Sequence, residues 1–291
     1  MIDSFLISAG GFSARILRMG AQLCSFQDAE GREYIWQADP AFWGAHAPIL
    51  FPITGRLKNG QYFYEGKTYQ MQPHGFAKTK NFALEKQSES SVCLVLDADE
   101  QTRACYPFDF RLYCRFLLDE KGLRIRREVE NAGRKTMYFS IGEHLGFNIR
   151  PFGASLEECA LFFPQKQVAD NWCLTPDGLL SHREPYLKKQ SDIALDRTVF
   201  QAYNSLVLQG LDAPWAVLRN RNGSKGLRVG IQDFPVLVLW TAAKGGDFLC
   251  IEPWYGLPDL SSGSGQLQDK PCILRLEPGM SFAYQIHVEI E

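Results

Sequence analysis

The sequence predicts an all-β protein built as a large antiparallel β-sandwich, and three observations predict it. Apolar residues recur with period two, as in Val92, Leu94 and Leu96 or in Leu123, Ile125 and Val129, the signature of strands with one buried face. The connections between such runs are short, and no stretch carries the 3.6-residue period of a helix. Strand following strand in this way builds a sandwich or barrel. With 291 residues the chain could hold one large domain or two ordinary ones. No composition shift or linker divides it, so a single domain over residues 1–291 is expected.

Composition narrows the class of function. The chain is 45% hydrophobic and 13% aromatic, ample for a packed core. A net charge of -2 without any basic block argues against nucleic acid or a membrane surface as partner and favours a small-molecule substrate. The first residues, MIDSFLISAGGFSARI, carry no basic segment ahead of an apolar run, so neither a signal peptide nor a membrane span is expected, and the chain is placed in the cytoplasm. Eight cysteines stand without a CxxC pair and read as reduced thiols serving as small hydrophobes.

In chain order, short apolar runs and glycine breaks before residue 40 describe a meander, with a tight hairpin loop at Asp28-Ala29-Glu30-Gly31-Arg32. Residues 41–47 read as a short helix or turn, His46 within them as a structural residue, and 48–52 as the entry to a loop. Two strands then flank Glu65-Gly66-Lys67, a hairpin signal. Arg56 precedes this hairpin and His74 follows it, so its closure brings them together. Taken singly, Arg56 reads as pairing a surface acid and His74 as a turn residue.

Strands are expected at 110–118 and 135–140. On the run of Leu123, Ile125 and Val129, Arg127 falls in the apolar phase, which predicts a paired charge interrupting that face. His144 lies between Gly142 and Gly146, glycines that let a backbone or ligand come close; on its own it reads as a core histidine bonded to a backbone group. Its neighbour Glu143 alternates to the opposite face. Residues 151–198 are the least regular and are expected to form a long excursion of short strands, a lid or wall, within which His182 is given no role. Further strands are expected at 205–208, 215–218, 227–231, 236–241, 248–251, 272–276 and 282–290. In the run Phe248-Leu249-Cys250-Ile251-Glu252, an apolar strand delivers one carboxylate among aromatic residues, and Pro253 is expected to end its ladder. Such a Glu is either tied down by an internal partner or functional.

The sequence has no phosphate-binding GxxxxGK[ST] loop, no GxGxxG after a strand, no GxSxG elbow and no histidine pair at metal-ligand spacing, so neither a nucleotide cofactor nor a catalytic metal is expected. Four separated pieces are more specific: Gly55-Arg56 with Asn59-Gly60, Pro73-His74-Gly75-Phe76, Glu143-His144 with Phe147-Asn148, and Cys250-Ile251-Glu252 followed by Leu257-Pro258-Asp259. In this order, from about residue 50 to 260, they resemble the aldose 1-epimerase (galactose mutarotase) family, as do Tyr106-Pro107-Phe108 and the strand end at Asn131. The resemblance implies a supersandwich with a sugar in an open cleft, Glu252 as general base, His144 as general acid, and Arg56 with His74 orienting the sugar. Where the family commonly has a sugar-binding Asp, the match here is Asn204. Pro253-Trp254 and Tyr255 replace a more usual polar pair, as in a shorter bacterial subgroup.

The implied chemistry is self-consistent. Opening a pyranose requires one base for the C1 hydroxyl and one acid for the ring oxygen, with no cofactor. It calls for an ionised Glu252 and a protonated His144, which mutual attraction would favour. Trp254, Phe76 or Trp43 could face the sugar ring. The leading expectation is therefore interconversion of the anomers of a hexose. A glycoside hydrolase would need a second carboxylate across the bond. A binding or sensing protein would keep the cleft without turnover.

Overall fold

The computed structural model describes residues 3–291. Its strands begin with β1 (Ser4–Ala9), β2 (Phe12–Leu17), β3 (Leu23–Gln27), β4 (Ile49–Leu50), β5 (Gln61–Tyr64), β6 (Lys67–Gln70), β7 (Ala83–Gln87) and β8 (Ser91–Asp97). After a helical turn, α1 (Glu100–Cys105), come β9 (Phe110–Asp119), β10 (Gly122–Asn131), β11 (Met137–Phe139), β12 (Ile141–Glu143), β13 (Leu145–Asn148), β14 (Cys159–Leu174) and β15 (Leu180–Ala194). A second short helix, α2 (Arg197–Tyr203), precedes β16 (Leu206–Gln209), β17 (Trp215–Asn220), β18 (Gly226–Gly230), β19 (Val236–Trp240), β20 (Phe248–Tyr255), β21 (Leu274–Leu276) and β22 (Ser281–Ile290).

Fifteen of these strands join one antiparallel sheet, ordered β4-β12-β20-β19-β16-β14-β17-β18-β22-β10-β9-β8-β7, with β13 also on β20 and β15 on β14. A sheet of more than about ten strands must curl or fold over. Here it encloses a continuous apolar core that runs from Phe5 and Ile16 of the small β1-β2-β3 sheet, through Phe116 and Ile125, to Leu249 and Ile251. The all-β sandwich expectation holds. Among the described residues no helix is long and apolar enough to cross a membrane.

Several local expectations hold as well. The Glu65-Gly66 turn joins β5 to β6, and a Gln27–Glu33 bridge closes the Asp28 loop. Arg127 does interrupt a buried face: its guanidinium bonds the Glu143 carboxylate twice, at 2.7 and 2.9 Å, and the Tyr284 hydroxyl donates to the same carboxylate at 2.9 Å. Glu143 is thus fixed on the core side, opposite to its neighbour His144.

Other expectations are corrected. Two short helices occur where none was foreseen; at 6 and 7 residues they are too short to show a hydrophobic period, and Asp99 and Asp196 cap them by accepting from Thr102 and Thr198 backbone N–H groups. The stretch after Pro48 is a two-residue edge strand, β4, paired with β12, not a loop. The irregular stretch 151–198 is dominated by the longest hairpin of the molecule, β14 with β15. Four register shifts break its alternation, and polar residues such as Lys166, Lys188 and Lys189 lie on its exposed surface, so period two is lost in the sequence.

Pro253 does not end its strand either. β12 and β13 meet β20 in one continuous register, with Gly142 opposite Trp254 and Leu145 opposite Ile251, which sets Glu143 opposite Pro253. The backbone N–H of His144 bonds Pro48 on the far side, so the alternation of an antiparallel ladder aims the missing donor of Pro253 at the Glu143 carbonyl. That carbonyl instead accepts the Trp254 indole N–H at 3.1 Å. One side chain replaces the lost backbone bond, and the strand continues.

Candidate active site

The same register builds the site. It places His144 opposite Glu252, and Val238 of β19 lies opposite Glu252 on its other side. Residues opposite one another in a ladder share a face, so Glu252, His144 and Val238 form a row across the sheet. The adjacent rows are Val236 with Trp254, and Trp240 with Cys250. Alternate residues, Leu237, Leu239, Leu249 and Ile251, belong to the core. Gly142 is required here because a Cβ would come within 2.5 Å of the Trp254 ring.

Above this row lies a cavity of about 600 Å³, lined among others by Arg56, His74, His144, Asn204 and Glu252. All five residues singled out in the sequence therefore meet at one place. The His144 Nδ1 and Glu252 Oε2 atoms are 3.5 Å apart, with side chains 13% and 1% exposed, and neither atom has a hydrogen-bond partner. The imidazole of His144 is held by rings: Trp43 stacks on it at 4.8 Å, and Trp240 and His74 meet it edge-on at 5.7 and 5.6 Å. Phe76, offered as a possible sugar platform, packs edge-on against Phe51 beside the core instead.

Hairpin closure ties Arg56 to His74 as expected. The Gly55 N–H donates to His74 Nδ1 at 3.2 Å, and the His74 N–H donates to the Gly55 carbonyl at 2.8 Å. Asp259, from the Leu257-Pro258-Asp259 motif, anchors the same loop: its backbone N–H bonds the Arg56 carbonyl at 2.9 Å, and its carboxylate accepts from the Lys58 N–H at 3.0 Å and the Lys270 ammonium at 2.9 Å. The tip of the β14–β15 hairpin forms a wall of the cavity, with Leu174 and Gly178 among its lining. Gly178, at φ +75°, leaves room for the Arg56 stem, which a Cβ would approach to 2.9 Å. Asn204 caps α2 at φ 63° and stands at the exposed rim.

Electrostatically the cleft differs from the expectation. Burial holds His144 down at about 3, helped by the Lys78 charge, and pushes Glu252 well above the usual carboxylate range. At this depth desolvation outweighs the attraction between the partners, which disfavours the ion pair. His74 is also held well below its ordinary value, by burial first and then by the charges of His144, Lys78 and Arg56.

Sequence reasoning missed Lys78, Gln22, Ser205 and Trp240 in the lining. Trp240 was legible, because it shares the alternate phase with Val236 and Val238. Lys78 was not: a 3-10 turn, Ala77–Thr79, returns it to the cleft behind His74. Among the described residues two clusters could hold a metal ion, with donor atoms within 4.8 Å of one another: His144, Cys250 and Glu252 in the cleft, and Cys173, His182 and Glu184 on the long hairpin. Burial keeps the Cys250 thiol protonated well above its ordinary range.

Comparison with known proteins identifies the family and the fold. The profile of the family described as aldose 1-epimerase matches residues 3–267. Protein LacX of Lactococcus lactis subsp. lactis is 34% identical over 270 residues, spanning 89% of this chain and 90% of the relative. The fold is galactose mutarotase-like. A galactose mutarotase related enzyme from Lactobacillus acidophilus superposes with a TM-score of 0.93 at 31% identity, covering 99% of this chain and 97% of that one. A galactose mutarotase-like protein from Lactobacillus casei gives 0.92 at 27%, covering 99% and 100%.

Proposed function

The chain belongs to the aldose 1-epimerase family, and from that premise we propose that it interconverts the α and β anomers of an aldose in the cleft above Glu252 and His144. The observation that supports this most is the facing of His144 Nδ1 and Glu252 Oε2 across 3.5 Å with neither atom hydrogen-bonded within the protein. Buried polar atoms are normally paired; here the missing partners are those that adjacent oxygens of one hemiacetal would supply.

In the proposed reaction Glu252 takes the proton from the C1 hydroxyl while His144 gives one to the ring oxygen. The C1–O5 bond breaks and the C1–O1 bond becomes a carbonyl. Rotation about C1–C2 presents the other face of the aldehyde, and the reverse transfers close the ring. This reading places the pair as carboxylate and imidazolium with the closed sugar, and as carboxylic acid and imidazole with the open one. The second arrangement is the one burial favours, and the protein needs no net change of charge to hold the open intermediate. Bound hydroxyls restore hydrogen bonds to the carboxylate and bring the first arrangement within reach. His74, tautomerically fixed by the Gly55 N–H, and Arg56 orient the sugar. Unpaired thiols throughout suit the reducing cytoplasm in which we place the reaction.

Among the described residues Glu252 is the only carboxylate lining the cavity, which leaves a two-carboxylate hydrolase without its second group. Polarimetry of freshly dissolved α-glucose and α-galactose tests the proposal. The protein should accelerate mutarotation, and Glu252→Gln should slow it by roughly 100-fold or more while the protein stays folded. His144→Asn should do the same, and Arg56→Lys should also raise KM, because a point charge does not copy a planar fork. Parent rates in folded Glu252→Gln would reduce the carboxylate to a structural anchor.

A further inference from the structure

The charges around the cavity are unbalanced. Besides Glu252 at its floor, the charged side chains lining it are Arg56 and Lys78, in a chain whose net charge is -2. The Arg56 guanidinium makes no ion pair and no hydrogen bond among the described residues, although surface arginines such as Arg103, Arg111 and Arg115 each hold a carboxylate. Asp259, on the loop that anchors Arg56, is engaged by the Lys58 backbone N–H and the Lys270 ammonium, and Asp177, which borders a neighbouring cavity with Arg56, makes no ion pair with it. Lys78 has a single partner, the neutral Pro73 carbonyl at 2.7 Å.

Two cations left without an ion-pair partner in one cleft repel each other; burial first, and then the Arg56 charge, lower the Lys78 ammonium below its ordinary range. Neutral sugar hydroxyls would not relieve that repulsion, because they carry no charge; an anion would. A planar fork beside a compact ammonium suits the oxygens of a phosphate or carboxylate. The reaction itself restricts where such a group can be, since O1 and O5 must both be free to exchange protons.

We infer that the aldose taken by this cleft carries an anionic substituent away from C1 and O5, a phosphate ester or a carboxylate, seated between Arg56 and Lys78. The inference rests on reading the cleft as the site of anomer exchange. Reactions that phosphorylate the sugar's primary hydroxyl, or oxidise it to a uronic acid, would supply such a substrate.

Exchange NMR of anomer interconversion tests it with glucose and galactose, their 6-phosphates, and glucuronate and galacturonate, at low and high salt. At least one anionic sugar should exceed its neutral parent in kcat/KM by roughly tenfold or more, and the gap should narrow with salt. Lys78→Met should cut that ratio by roughly tenfold, and Lys78→Arg should keep most of it. A preference for the 6-phosphates alone identifies phosphate, and one for the uronates alone identifies carboxylate. Neutral sugars exchanged as fast as every anionic one, or a ratio indifferent to salt and to Lys78→Met, overturns the inference and leaves the mutarotase reading standing. If no sugar is exchanged, the reaction falls instead, and calorimetric titration decides the inference. A 6-phosphate bound at least tenfold tighter than its parent hexose sustains it, and equal affinities end it.

Discussion

Glu252 shows what one residue of sequence can and cannot convey. An acid closing an apolar strand had to be paired or functional, and the fold leaves its Oε2 unpaired against His144. What the sequence could not give was the protonation state, because attraction and desolvation oppose each other and only depth decides between them. A pH profile reads the outcome. With His144 held at about 3 and Glu252 raised, the one-proton pair persists from near 3 up to the raised carboxyl value. The kcat/KM of the free enzyme should therefore show no acid arm in the ordinary histidine range and should fall on the alkaline side, as the pair loses its proton. An acid arm near the ordinary histidine value of about 6.5 would show that His144 is not buried as described. Asn204 offers a second check. Asn204→Asp at the rim should alter the galactose-to-glucose ratio of kcat/KM by an amount worth about 1–3 kcal/mol at most, and an unchanged ratio would remove Asn204 from the sugar's surroundings.

At the scale of elements, the strand that presents His144 to the cleft is pinned from its other face. The Arg127–Glu143 pair is fully inside the core, so Glu143→Gln strands a guanidinium there and should cost about 3–5 kcal/mol, read from the urea midpoint. Replacing both partners, Arg127→Met with Glu143→Leu, should recover most of that loss. A loss below about 1 kcal/mol in the single variant would mean that water reaches the pair. This coupling was half legible: the phase of Arg127 announced a buried charge, but its partner on another strand was not announced. The long hairpin was less legible still. Bulges shift its phase four times, and the signal that survives is the turn at Pro176-Asp177-Gly178, which carries the wall against Arg56.

For the whole molecule, period two announced strands but not their order. β4 pairs with β12 and β1 packs beside β9, and such distant pairings are fixed by core shape rather than by local pattern. The family motifs supplied the missing long-range information, since Gly55, His74 and Asp259 share one loop system, beside the strand that carries Glu252, only after folding. Because one apolar core runs from Phe5 to Val288, we expect the chain to unfold as a unit, with circular dichroism and fluorescence transitions coinciding. Two resolved transitions would divide it.

The aromatic ring around His144 has an optical consequence. Trp43, Trp240 and Trp254 are half of the six tryptophans in the chain, and all three border the space a sugar would fill. Indole emission follows the polarity and hydration around the ring, so occupancy of the cleft should shift a large part of the intrinsic spectrum without any label. The protein thus carries its own reporter of ligand arrival, usable with variants that no longer turn over.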